Sequence, residues 1–133
     1  MISSYQDLIQ ASRSQQEAQR LLYVFCRAEL PDEASEEEKA AFERGEGGAL
    51  TPVICVDKTP DEAPDFGALV EESRATGQSW DVVFIAAMSG RGGIAPSTDE
   101  AQQPLTMMVE SIRLGHIGNY LPLDTQGNAV SLG

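Results

Sequence analysis

Three short stretches of this chain are apolar at consecutive positions: Leu21-Leu22-Tyr23-Val24-Phe25-Cys26, Val53-Ile54-Cys55-Val56 and Val82-Val83-Phe84-Ile85-Ala86-Ala87-Met88. Each is rich in strand formers and apolar on both faces, so each is expected to be a sheet strand with helices above and below it. Between these runs the apolar residues fall at helical spacing. Tyr5, Leu8 and Ile9 form a first stripe behind Ser4, which can cap the helix, and polar residues from Ser12 to Gln19 then lead into the first strand. Phe66, Leu69 and Val70 follow Pro64, which suits a first helical turn, and Gly77 stops that helix before Trp80. Leu105, Met108, Val109 and Ile112 stand at i, i+3, i+4 and i+7, the cleanest amphipathic helix of the chain, with Gly115 closing it and a polar loop expected up to Pro104.

Two segments read differently. From Pro31 to Gly48 the chain is acidic; Ser35 with Glu38 makes a capping box for a short helix near 36–44 whose main apolar residue is Phe42, and Gly45-Glu46-Gly47-Gly48 is a loose connection by composition. At the other end, Tyr120-Leu121-Pro122-Leu123 and Ala129-Val130-Ser131-Leu132 flank a turn-rich segment and predict a terminal hairpin, which Pro122 assigns to a sheet edge. The order α-β-α-β-α-β-α-β-β predicts one α/β domain over residues 1–133. Crossover helices return a chain to the same end of a sheet. The expected sheet is therefore mixed, with four or five strands, a parallel centre, helices on both faces and a C-terminal edge hairpin.

Composition adds limits. The chain has 133 residues and 41% hydrophobic content, enough for a core that needs neither disulfide nor metal, and an aromatic share of 6% makes that core mainly aliphatic. A formal net charge of -12 makes nucleic acid and anionic membrane poor partners. No run of apolar residues is long enough for a signal peptide or a spanning helix. Cys26 and Cys55 both lie in apolar strand-like runs, where free, buried thiols sit in a reducing compartment, so a cytoplasmic protein is expected.

Candidate chemistry is sparse. Arg27 follows the first strand, Lys58 the second, and Ser89-Gly90-Arg91-Gly92-Gly93 the third. On parallel strands these would share the carboxyl edge of the sheet, where open α/β folds place ligands. Arg27, Lys58, Ser89, Gly90, Arg91 and Gly92 are accordingly the candidate binding site for a small anion, with backbone N–H groups and cations as donors. The glycine loop lacks the Gly-Lys-Ser/Thr ending of a P-loop, and Ala87 and Arg91 stand where a nucleophile elbow needs glycine. His116, the single histidine, follows a helix end, where it can cap carbonyls. Two distant cysteines and one histidine make no closed zinc site, and Asp57, Asp61, Glu62 and Asp65 would hold a hard cation only loosely. No catalytic set, metal or cofactor is assigned.

The segments Leu22-Tyr23-Val24-Phe25-Cys26-Arg27-Ala28-Glu29-Leu30-Pro31, Phe42-Glu43-Arg44-Gly45-Glu46-Gly47-Gly48-Ala49-Leu50 and Cys55-Val56-Asp57-Lys58 resemble a family of short bacterial proteins that often carry the label ribonucleotide reductase subunit alpha. The similarity runs along most of the chain, through Ser89-Gly90-Arg91 to the terminal hairpin, and implies no residue role. A catalytic reductase subunit is a large barrel with a radical-bearing cysteine and a redox pair, so 133 residues with two cysteines in separate strands exclude that activity. The function expected is that of a non-catalytic accessory or binding protein, working through a protein partner or a small anion, with a homodimer through the terminal hairpin as one assembly. The alternative is a small enzyme that binds a phosphate- or carboxylate-bearing substrate at the carboxyl edge.

Overall fold

The computed structural model describes residues 2–30, 33–44 and 49–130. Four helices and four strands alternate: α1 (Tyr5–Arg13), β1 (Gln19–Glu29), α2 (Glu36–Glu43), β2 (Ala49–Lys58), α3 (Phe66–Arg74), β3 (Val82–Ser89), α4 (Thr98–Arg113) and β4 (Leu121–Asp124). The strands form one sheet in the order β2-β1-β3-β4, and every neighbouring pair is antiparallel. The expected parallel centre is therefore wrong.

The reason lies in the connections. α2 buries no residue, so the segment joining β1 to β2 does not pack a helix on the sheet and the two strands pair as a wide hairpin. α3 does cross over, but β1 sits between the two strands it joins. β2 and β3 thus point the same way without touching.

β1 is the centre of the molecule. Its odd residues Leu21, Tyr23 and Phe25 pack with Tyr5, Leu8 and Ile9 of α1 and Leu69 of α3. Its even residues Leu22, Val24 and Cys26 pack with Ala101, Leu105, Met108 and Ile112 of α4. This alternation explains a run without polar residues, since both faces are covered. Each large side chain fully buried here contributes about 1.5–3 kcal/mol. On the α1 side, the Tyr5 hydroxyl donates to the Ala63 carbonyl and lies 2.8 Å from the Tyr23 hydroxyl, so two buried phenols are satisfied by one carbonyl. Trp80 packs edge-on against Phe25 and donates its indole N–H to Ser73 Oγ at 2.9 Å.

Helix ends follow local chemistry. Ser4, Ser35 and Ser97 cap α1, α2 and α4, the last two with complete capping boxes to Glu38 and Glu100. α4 therefore starts at Thr98 and runs through Pro104, where a loop was expected. At its end, His116 N–H donates to Ser111 O and Gly115 N–H to Ile112 O, which closes the helix.

The two sheet edges differ. β4 is edged by a turn from Asp124 to Asn128, with Val130 N–H on Pro122 O and Asp124 N–H on Asn128 O. Beyond it, Ala129 N–H donates to Ser3 O and Ser4 bridges to Asn128, so the chain covers that edge itself. The second arm of the expected hairpin lies partly outside the described residues, as does the Gly45–Gly48 connection. At the opposite edge β2 has no neighbour among the described residues.

Candidate functional site

Since β1 runs against both its neighbours, it begins at the sheet end where β2 and β3 finish. Lys58, Ser89, Gly90, Arg91 and Gly92 gather there. Arg27 does not: it pairs with Thr51, whereas Lys58 pairs with Leu21, and six residues of strand put the two roughly 20 Å apart. Arg27 instead meets Gln78 and Ser79 at the far end. The three-cation cluster that parallel strands would have built is not assembled.

Most of the remaining members of that set have partners within the chain. The Lys58 ammonium lies 3.0 Å from a Glu72 carboxylate oxygen of α3. Gly92 and Gly93, with φ of 60° and 81°, are the central residues of a two-residue turn in which Arg91 and Ile94 exchange backbone hydrogen bonds. The Gly93 N–H then donates to Glu17 at 3.1 Å, so that amide is already satisfied by a carboxylate of the same chain. Gly90 is needed for space, since a Cβ there would lie 1.8 Å from the Ile94 carbonyl oxygen. Ser89 Oγ accepts from Gln19 at 2.9 Å. Arg91 is exposed, with no carboxylate partner among the described residues.

The strongest polar constellation at this end involves a residue the sequence pattern passed over. Arg20 stands one position before the apolar run of β1. Its Nε donates to the Pro96 carbonyl, and its Nη1 lies 2.8 Å from Asp57 Oδ2 and 3.7 Å from Glu62 Oε1. The Thr98 hydroxyl, in the first turn of α4, donates to the same Asp57 oxygen at 2.9 Å. Only 13% of the Arg20 side chain and 10% of the Asp57 side chain are exposed. The pair ties the start of β1, the end of β2 and the start of α4 together. An Arg and an Asp each abutting an apolar run were the available signal, but only the antiparallel register makes them neighbours.

The other carboxylates are dispersed. Asp61 pairs with Arg13 at 3.1 Å, and Asp65 caps α3 through Gly67 N–H. Hydrogen bonds from Thr59 hold Glu62 below the usual carboxylate range, helped by the charges of Arg20 and Lys58. Among the described residues no three His, Cys, Asp or Glu side chains gather to hold a metal, and no helix is long and apolar enough to cross a membrane. No buried side-chain nitrogen or oxygen among them lacks a hydrogen bond.

The two cysteines differ. Cys26 is fully buried, and desolvation pushes its thiol up to about 12. Cys55, on the edge strand, is exposed, which corrects the expected burial of both. Partial desolvation raises its pKa as well, and the Arg113 charge opposes that rise. An alkylating reagent near neutral pH should therefore add once, at Cys55, and reach Cys26 only after denaturation. Peptide mapping that finds both labelled in the native protein would contradict the burial of β1.

Comparison with family models, with curated proteins and with solved structures gives no match.

Proposed function

We propose that this chain is a non-catalytic binding protein that receives an extended segment of a partner along β2. The observation that carries this reading is the open edge itself. β2 spans ten residues with no strand on its outer side among the described residues, whereas the opposite edge is covered by residues 3–4 and 128–130 of the same chain. From Ala49 to Val56 the edge carries no charge, in a protein whose formal net charge is -12. An uncovered edge offers backbone donors and acceptors to an added strand, with side-chain pockets supplying specificity. Pro52 and the bulge at Val53, opposite Phe25 and Cys26, interrupt the ladder, which confines a regular added strand to the stretch from Ile54 onward.

Charge selects the partner. Two copies of so acidic a chain repel each other, and Glu36, Glu37 and Glu38 of α2 add to the field on the connection leading to β2. The favoured occupant is an uncharged β-forming segment with basic flanks, from a different protein. The sealed state of the Arg20–Asp57 group supports a binding role over catalysis, because the best-buried polar groups at the sheet end where a site was expected are engaged with one another.

Cys55 gives a direct test. A photoactivatable maleimide on this thiol should crosslink a partner in an extract of the native host, and Val53→Lys, at the bulge of β2, should abolish the product in a protein whose circular dichroism spectrum shows that it still folds. The same product from a label on a Thr125→Cys variant with Cys55 removed would overturn the assignment to β2. Sedimentation showing a stable homodimer that Val53→Lys dissociates would overturn the choice of a heterologous partner.

A further inference from the structure

At the sheet end remote from Arg20, a hollow of about 360 Å³ opens between the segment that follows α3 and the turn that follows β4. Its size falls in the range of small-molecule sites, about 300–1,000 Å³. Trp80 and Val70 give it an apolar wall, and Gln78, Ser79, Thr125 and Gln126 line the rest together with Gly77 and the Arg74 side chain. No carboxylate lines it, although 21 of the 133 residues are Asp or Glu.

Both walls are held by the backbone. On one side Thr76 Oγ1 donates to Ser73 O and accepts from Gln78 N–H, while Arg27 donates to Gln78 Oε1 at 3.0 Å and to Ser79 O at 3.3 Å. On the other, Asp124 Oδ1 accepts from the N–H groups of Gln126 and Asn128, and Tyr5 N–H donates to Gly127 O. Against this fixed frame, four exposed side-chain groups face the hollow's solvent with no protein partner among the described residues: Gln78 Nε2, the Ser79 and Thr125 hydroxyls, and the Gln126 amide. At the Arg20 end, by contrast, the polar groups are buried and already engaged with one another.

The charge around the hollow is balanced. Arg74, at its rim, lies 2.7 Å from Glu71, and Arg27 lies 3.6 Å from Glu29. An anion would have to displace these carboxylates, whereas a neutral ligand would not. Carboxamides set a donor beside an acceptor, a match for two neighbouring hydroxyls, and hydroxyl groups of Ser and Thr both give and take. We infer that this hollow is a binding site for a neutral polyhydroxylated molecule, a saccharide unit with its ring edge toward Trp80. It uses the opposite side of the molecule from the strand end at Asp57, and it stands or falls independently of β2.

The test is an amide-resolved NMR titration of the full chain with glucose, N-acetylglucosamine and maltose at millimolar concentrations. At least one should shift the amides of Gln78–Trp80 and Thr125–Gly127 together with the Trp80 indole N–H. Gln126→Ala, on an exposed side chain, should weaken that binding about two- to tenfold, the value of one hydrogen bond, and leave the remaining spectrum in place. Inorganic phosphate should leave these amides unmoved. No shift with any of the three sugars, shifts confined to other residues, unchanged affinity in Gln126→Ala, or a phosphate response at the same amides stronger than that to the sugars would each overturn the inference.

Discussion

Above pH 9 the protein is expected to lose stability steeply, with its denaturant midpoint falling with each further pH unit. Cys26 ordinarily titrates near 9.0 and is raised to about 12 in the folded chain. A raised acid group contributes its full stabilising effect below its unfolded pKa, and that effect is lost as the pH climbs toward the folded value. Each unit in this window removes about 1.4 kcal/mol, so at about pH 11 Cys26 alone accounts for roughly 3 kcal/mol. Tyr23 and Tyr5 act in the same direction above pH 10, since burial raises both phenols and the field of Glu72 or Asp65 adds to it. Against a total stability of about 5–15 kcal/mol for an ordinary domain, this is enough to bring the chain near its unfolding point. Urea titrations between pH 8 and pH 11 would measure it. Cys26→Ala should reduce the dependence between pH 9 and pH 10 to the smaller part that the raised Cys55 thiol contributes, whatever it costs in core packing. A midpoint independent of pH over this range would show that neither Cys26 nor Tyr23 is buried in solution.

Asp57→Ala is expected to be the most damaging single change on the polar side of the molecule, lowering stability by up to about 3–5 kcal/mol, because it leaves the Arg20 guanidinium, with 13% of its side chain exposed, only the Pro96 carbonyl and the more distant, solvent-facing Glu62 carboxylate. The double substitution Arg20→Met with Asp57→Leu should recover most of that loss, since it removes both charges and fills the same space. Glu72→Ala, which removes the partner of Lys58 where the carboxylate is 55% exposed, should cost at most about 1 kcal/mol. Chemical denaturation of the three variants separates them. A loss below about 1 kcal/mol for Asp57→Ala would show that water reaches the pair and that it behaves as a surface bridge.

Much of the fold was legible because the signals were local. Ser4 at a helix start and Ser35 with Glu38 lie within a turn of the helices they define, and the stripe Leu105–Met108–Ile112 faces the core where periodicity puts it. Ser97 and Glu100 carry the same capping signature, but a loop was expected up to Pro104; the helix accommodates that proline at its seventh residue. Strand direction was not legible, because a residue such as Val24 is buried identically beside a parallel or an antiparallel neighbour. The run Val53–Val56 also misled: its residues are half-buried at an edge, and exposed Cys55 marks its open side. From that one error in direction came the misplacement of Arg27 and the oversight of Arg20 with Asp57.

The pairing of Ser3 and Ser4 with Asn128 and Ala129 has a consequence for stoichiometry. A sheet open at both edges can add strands without limit and grow into a fibre. Among the described residues one side is already closed by the chain, which leaves β2 as the edge the proposed partner would use. A strand added there turns its own outer edge to solvent, so growth past it depends on the guest and not on this chain. This sheet therefore offers one place per molecule, and a guest that blocks its own outer edge should saturate that place rather than polymerise as the concentration rises.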